Sequence, residues 1–157
     1  MSSDPKREPR DARDAGSIRR ATAADLEAVR ALDPIAASGD ENRGRLLHAA
    51  IATGDCAVHE RAGEVTGFVI LRRHHFFDRD FVELLKVSPA IRRQGIGGAL
   101  LRHAVDAATT AAVFTSTNES NSPMRALLDT EGWILSGKLV GLDEDDPELV
   151  FFRPNQT

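Results

Sequence analysis

The chain has 157 residues, 41% hydrophobic and 28% charged, a balance that suits one folded domain with a fair core. Its formal net charge of −4 argues against nucleic acid as the main partner. No apolar run approaches bilayer-spanning length, residues 1–16 lack the apolar core of a signal peptide, and the single cysteine, Cys56, allows no internal disulfide, so a cytoplasmic protein with no membrane partner is expected.

Residues 1–16 are charged, carry two prolines and are nearly devoid of apolar side chains, so they read as a disordered tail ahead of a domain over 17–154. Residues 17–21 read as a first strand. Thr22, with Asp25 three residues on, approximates a capping box for a helix whose apolar face is Leu26, Val29, Leu32 and Ile35. Gly39 interrupts. A second helix over 41–52 presents Leu46, Leu47, Ala50 and Ile51, and Gly54-Asp55 ends it. Strands over 56–61 and 65–76 are joined by Ala62-Gly63-Glu64, a hairpin with glycine in the turn. A turn at 78–80 leads into the apolar run 81–87, which reads as a buried strand that Ser88-Pro89 stops, because proline donates no ladder hydrogen bond.

The next helix has one stripe of Ile96, Leu100 and Ala104, widened by Leu101, Val105 and Ala108. Its start is unusual. No Ser, Thr, Asp or Asn stands at the cap, no acid lies in the first turn, and Arg92 and Arg93 precede it, which the helix dipole disfavours by about 0.3–1 kcal/mol each when exposed. A bound anion would resolve the conflict, since free N–H groups, three glycines and two cations make a phosphate cradle. An ordinary glycine-rich corner is the plainer alternative. G-x-G-x-x-G fails at Leu100, and no G-K-[ST] follows.

Residues 112–117 read as a strand and 118–121 as a polar loop. Ser122 reads as the cap of a helix with Pro123 at its first position, running through Met124, Leu127 and Leu128 to a C′ glycine at Gly132. Strands over 133–142 and 148–153 flank an acidic stretch, Asp143-Glu144-Asp145-Asp146-Pro147.

Arg92 to Gly97 spell R-x-x-G-x-G after an apolar strand, which resembles the acetyl-CoA signature of the GNAT superfamily of N-acetyltransferases. Residues 121–133, NSPMRALLDTEGW, resemble that family's N-x-x-A-x-x-L-Y-x-x-x-G-F segment, and the element order β-α-α-β-β-β-α-β-α-β-β matches over about residues 17–153. The resemblance implies an α+β fold: a mostly antiparallel mixed sheet of about seven strands, helices on both faces, strands 4 and 5 splayed. It implies transfer of an acetyl group from acetyl-CoA to a primary amine, on a small molecule or a peptide, by direct attack and without a metal. Pantetheine would pair with Leu85, Lys86 and Val87. The pyrophosphate would sit on Arg93, Gln94, Gly95, Ile96, Gly97 and Gly98 beside Arg92, and Asn121 would contact the cofactor arm. A monomer or a homodimer fits. The rival is a catalytically weak acyl-CoA-binding module.

Direct transfer needs the amine to lose its proton, since an alkylamine titrates near ~10.4. It also needs an oxyanion donor, for which the Val87 N–H is placed, and departure of the thiolate. Glu83 is the candidate base: read in phase with Phe81, Leu85 and Val87, it sets one carboxylate in an apolar face, where burial would tune it for proton transfer. The plainer reading is a salt-bridged glutamate at a strand end. The family's acid, a tyrosine, is replaced by Leu128, and a common family glutamate by Ser116, the second catalytic candidate. A water held by Ser116, Ser120 or Asn118 is one way to protonate the leaving thiolate, and unassisted departure is the other. Cys56 reads as a packed residue. His74 and His75 with Asp78 and Asp80 resemble a metal cluster in composition only, because neighbours on a strand face opposite ways. Trp133 and the phenylalanines at 76, 77, 81, 151 and 152 read as core. The acidic stretch reads as a solvated hairpin tip, or as an attractor for a cationic amine.

Overall fold

The structure is a computed structural model that describes residues 15–155. The expected tail lies outside the described residues up to residue 14, whereas Gly16, with φ of 74°, already rests on His59 and Glu60. The strands are β1 (Ser17–Arg20), β2 (Cys56–Arg61), β3 (Glu64–Phe76), β4 (Arg79–Val87), β5 (Ala112–Asn118), β6 (Ile134–Leu139) and β7 (Glu148–Pro154). The helices are α1 (Leu26–Leu32), α2 (Pro34–Ala37), α3 (Glu41–Thr53), α4 (Ile96–Ala107) and α5 (Ser122–Thr130). The strands form one sheet in the order β1-β2-β3-β4-β5-β7-β6. Every pairing is antiparallel except that of β4 with β5.

Alternation along the strands splits the apolar side chains between two cores. On one face, Ile96, Leu100, Leu101, Ala104 and Val105 of α4 and Leu128 of α5 pack on Val69, Leu71, Val82, Val113, Leu149 and Phe151. On the other, Val29, Leu47, Ala50 and Ile51 cover Cys56, Val58, Phe68 and Ile70, with Leu84 at the margin. The α4 stripe read from periodicity is buried in full.

Some boundaries differ from the sequence expectation. A 3-10 turn, Ala23–Asp25, precedes α1, and the Thr22 N–H donates to Asp25 at 2.7 Å. The helix expected to reach Ile35 breaks at Asp33, because Pro34 favours an extended residue before it and a new helix after it. Asp33, fully buried, then accepts from the Ile35 N–H and from Arg43 at 2.9 Å, and Ile35 faces solvent instead of the core. Asn121, not Ser122, caps α5, its Oδ1 accepting from the Met124 N–H at 3.2 Å. At the far end of α5, Gly132 has φ of 80° and Trp133 N–H reaches Leu128 O at 2.9 Å, the paired closure expected of a C′ glycine. The strand expected over 133–142 is shorter, and Val140 and Leu142 beyond it are exposed.

Candidate active site

The ladder between β4 and β5 is short. Asp80, Phe81 and Val82 pair with Val113, Phe114 and Thr115, and no pairing follows, although β4 continues to Val87 and β5 to Asn118. Thr115 closes the ladder by donating from Oγ1 to Val82 O at 2.9 Å, with both residues buried. Beyond that point the strands part.

A bulge makes the parting. Leu84 pairs with Ile70 and Val82 with Leu71, so Glu83 is an extra residue on β4. It corrects the phase read from the sequence. Val82, Leu85 and Val87 face the α4 core, while Phe81, Glu83 and Leu84 face the other way. Glu83 therefore does not interrupt the apolar face of Leu85 and Val87. It accepts from Arg72 Nη1 at 3.1 Å and is partly exposed, the salt-bridged alternative.

The free backbone of β4 follows from the hydrogen-bond alternation. The Ser88 N–H donates to Thr66 O at 2.8 Å, so in the regular register that follows Lys86 also turns its N–H and C=O toward β3. Leu85 and Val87 turn theirs toward the gap. Of the three residues expected to offer free backbone, Lys86 is thus excluded, because its peptide groups belong to the β3 ladder.

At the end of β4, the 3-10 turn Pro89–Ile91 delivers the chain to Arg92, Arg93, Gln94 and Gly95. Arg93 has φ of 66° and Gly95 φ of 81°, and such left-handed residues in a turn draw successive N–H groups into one concavity. Helix α4 has no side-chain cap and no acid in its first turn. Among the described residues, no N–H of Gln94, Gly95, Ile96, Gly97 or Gly98 donates to a protein acceptor; the first to do so is that of Ala99, to Gly95 O. Arg92 and Arg93 are exposed and pair with no acid among the described residues, and Arg61 donates to Gln94 Oε1 at 2.6 Å. A Cβ on Gly97 would lie 3.1 Å from Leu127, and one on Gly98 would collide with Glu131, so α4 and α5 meet closely there. The donor set fits a diphosphate: several free amides, three guanidinium groups and a glycine floor.

The other candidates are placed as follows. Ser116 follows the last pair on β5, faces the same side as Phe114, and has no side-chain partner among the described residues. It shares that face with Glu83 across the mouth of the gap. Asn121 stands at the start of α5, and its amide nitrogen has no hydrogen-bond partner among the described residues. Asn118 and Ser120 are engaged elsewhere: Asn118 Nδ2 donates to Asp143 at 2.9 Å, and Ser120 Oγ to Asp146 at 2.5 Å. Leu128, where the tyrosine would stand, is fully buried. Burial pushes the Cys56 thiol up to about 12, so it is inert at neutral pH. His74 bonds Asp78 at 2.9 Å, Asp80 is buried among backbone amides, and no group of metal-ligating side chains forms among the described residues. Sequence reading missed Thr115 and Arg72, whose roles depend on cross-strand neighbours.

Residues 24–133 match the model of the acetyltransferase (GNAT) family. The chain belongs to the GNAT family of acetyltransferases. Members of this family use acetyl-CoA. The chain is similar to a GNAT acetyltransferase from Bacillus cereus, at 32% identity over 90% of this chain and 98% of that one, with a TM-score of 0.82. It is also similar to the ribosomal-protein-alanine N-acetyltransferase from Brucella melitensis, at 26% identity over 88% and 99% of the two chains, TM-score 0.72. The yncA protein from Salmonella typhimurium, solved with its cofactor acetyl-CoA, shares the fold at 21% identity over 90% and 95% of the chains, TM-score 0.73. No curated protein matches the chain by sequence. The seven-stranded GNAT sheet, with β4 and β5 parallel and parting, is as the sequence implied. Among the described residues no helix is long and apolar enough to cross a membrane.

Proposed function

We propose that this GNAT acetyltransferase moves an acetyl group from acetyl-CoA to a primary amine by direct attack in the gap between β4 and β5. The observation that carries the reading is the coincidence of two unfilled backbone sites. The Leu85 and Val87 peptide groups face the gap, and the amides of Gln94, Gly95, Ile96, Gly97 and Gly98 stand at its end beside Arg92 and Arg93. The first suits an extended amide-bearing arm, and the second its diphosphate. Asn121 offers its amide nitrogen to the same arm.

The Val87 N–H is the donor for the oxyanion, because it points into the gap. Glu83, at the mouth, takes the ammonium proton directly or through water, and Arg72 holds its carboxylate there. The amine nitrogen then bonds to the carbonyl carbon, the C–S bond breaks, the sulfur leaves with the electron pair, and the nitrogen gives up its second proton, which the thiolate takes through water. With Asn118 and Ser120 tied to the acidic loop, Ser116 is the hydroxyl left to position a water for the thiolate.

Calorimetry with coenzyme A tests the binding half: one site is expected, abolished by Gly97→Glu, which sets a carboxylate and its bulk into the cradle. Undiminished binding by that variant removes the cradle from the account. Thiol release across a panel of amines tests the transfer half. Coenzyme A binding with release for none of them favours an acyl-CoA-binding module, the reading that the buried Leu128 supports.

A further inference from the structure

Four apolar side chains stand in one cross-strand row. Ile134 pairs with Phe152, Phe152 with Phe114, and Phe114 with Phe81, so all four point to the same face of β6, β7, β5 and β4. Phe76 folds over the end of the row and stacks on Phe81 at 5.2 Å between ring centroids, with an interplanar angle of 27°. It lies 5.3 Å from Phe114, which is 5.8 Å from Phe152. Phe76, Phe81 and Phe152 were expected in the core, and they, with Phe114, belong to neither helix-covered core. The row is half-buried and ends in Ile134, which is exposed.

The row is continuous with the gap. Glu83 and Ser116 are on the same face, Ser116 two residues beyond Phe114 along β5, or about 7 Å. Asn118 at the end of β5 and Ser120 just after it hold the acidic loop through Asp143 and Asp146. The face thus runs from aromatic rings, past the mouth where the base candidate stands, to carboxylates. A short alkyl linker between a ring and an amine spans that 7 Å, approximately, from platform to mouth.

The geometry points to an acceptor that carries an aromatic ring a short linker away from its primary amine, the ring seated on Phe114 and Phe152 beside the Phe76–Phe81 stack and the amine delivered to Glu83. The inference rests on the acetyltransfer reading above and names its acceptor class. Offset or edge-to-face pairs of aromatic rings are favourable beyond the area they bury, an increment that an alkyl chain on the same rings does not gain. Phe114 and Phe152 are specificity-determining side chains here, and the acidic loop favours a cationic ring-bearing amine over an anionic one.

The test is thiol release by the full chain with acetyl-CoA, comparing phenethylamine and phenylalanine amide with butylamine and spermidine. Higher kcat/KM for the aromatic amines, by roughly tenfold, is expected. Phe152→Ala should raise KM for phenethylamine severalfold while leaving KM for butylamine and the coenzyme A affinity unchanged. Phe114→Leu, which keeps an apolar side chain in the sheet, should do the same if Phe152→Ala unfolds. Equal or better use of the aliphatic amines overturns the inference and leaves acetyltransfer standing. So does a homodimer in sedimentation that either Phe variant dissociates, since a second copy would then occupy the face. Release with no amine at all overturns both readings.

Discussion

Thr115 and Glu83 show how much rests on single side chains where β4 and β5 part. The Thr115 hydroxyl adds a side-chain hydrogen bond to Val82 O at the end of the β4–β5 ladder, in a buried setting. Thr115→Val keeps the shape and removes the donor, so Val82 O loses a buried hydrogen bond and keeps only what the backbone ladder supplies. A loss of about 0.5–1.5 kcal/mol is expected, measured by urea unfolding. Glu83 differs, because its partner Arg72 is partly exposed and the pair contributes little to stability. Glu83→Gln should lower kcat for a working acceptor with the unfolding midpoint almost unchanged. Unaltered turnover would remove it from the mechanism. Both side chains are polar residues in an apolar run when read alone. The sequence marks Glu83 as unusual but leaves its face undetermined, because a bulge has no signature in a run such as FVELLKV.

At the scale of elements, the junction of β1 and α1 carries a pH dependence. Asp25 accepts from Arg19 at 2.7 and 2.9 Å and from the Thr22 N–H at 2.7 Å. The Arg19 hydrogen bonds, outweighing burial, hold its carboxyl down at about 2. A carboxyl depressed on folding adds stability that is fully present above its unfolded value, about 3.9, and is lost as pH falls toward the folded value. The thermal unfolding midpoint should therefore fall as pH drops from about 4 to 2, and Asp25→Asn should flatten that dependence while losing about 2 kcal/mol at neutral pH. Asp80 adds to the same acid sensitivity. Burial would raise it, but the Thr109 and His74 amides and Arg73 prevail and lower it. Its bonds to Arg73, the His74 N–H and the Thr109 N–H staple the β3–β4 hairpin to the chain after α4, and no group of metal-ligating side chains forms among the described residues.

For the molecule as a whole, the two sides of the gap's open end differ in charge. Arg61, Arg92 and Arg93 gather at the α4 end, while Asp143, Glu144, Asp145 and Asp146 lie over the end of β5. An anionic co-substrate and a cationic acceptor would each meet a complementary field. Glu144→Gln with Asp145→Asn, which spares the two loop residues bonded to Asn118 and Ser120, should raise KM for a cationic acceptor severalfold with kcat little changed. The effect should shrink in high salt. The order of elements, the buried stripe of α4 and the anion-ready turn after β4 were legible in the residues, because helix periodicity, capping and glycine chemistry are local properties that a short window records. The face of Glu83, the freedom of the Leu85 and Val87 backbone, the break at Asp33 and the aromatic row were decided only by the folded chain. Each depends on which residue a neighbouring strand or helix sets opposite, and pairing register is a long-range choice that local sequence does not encode.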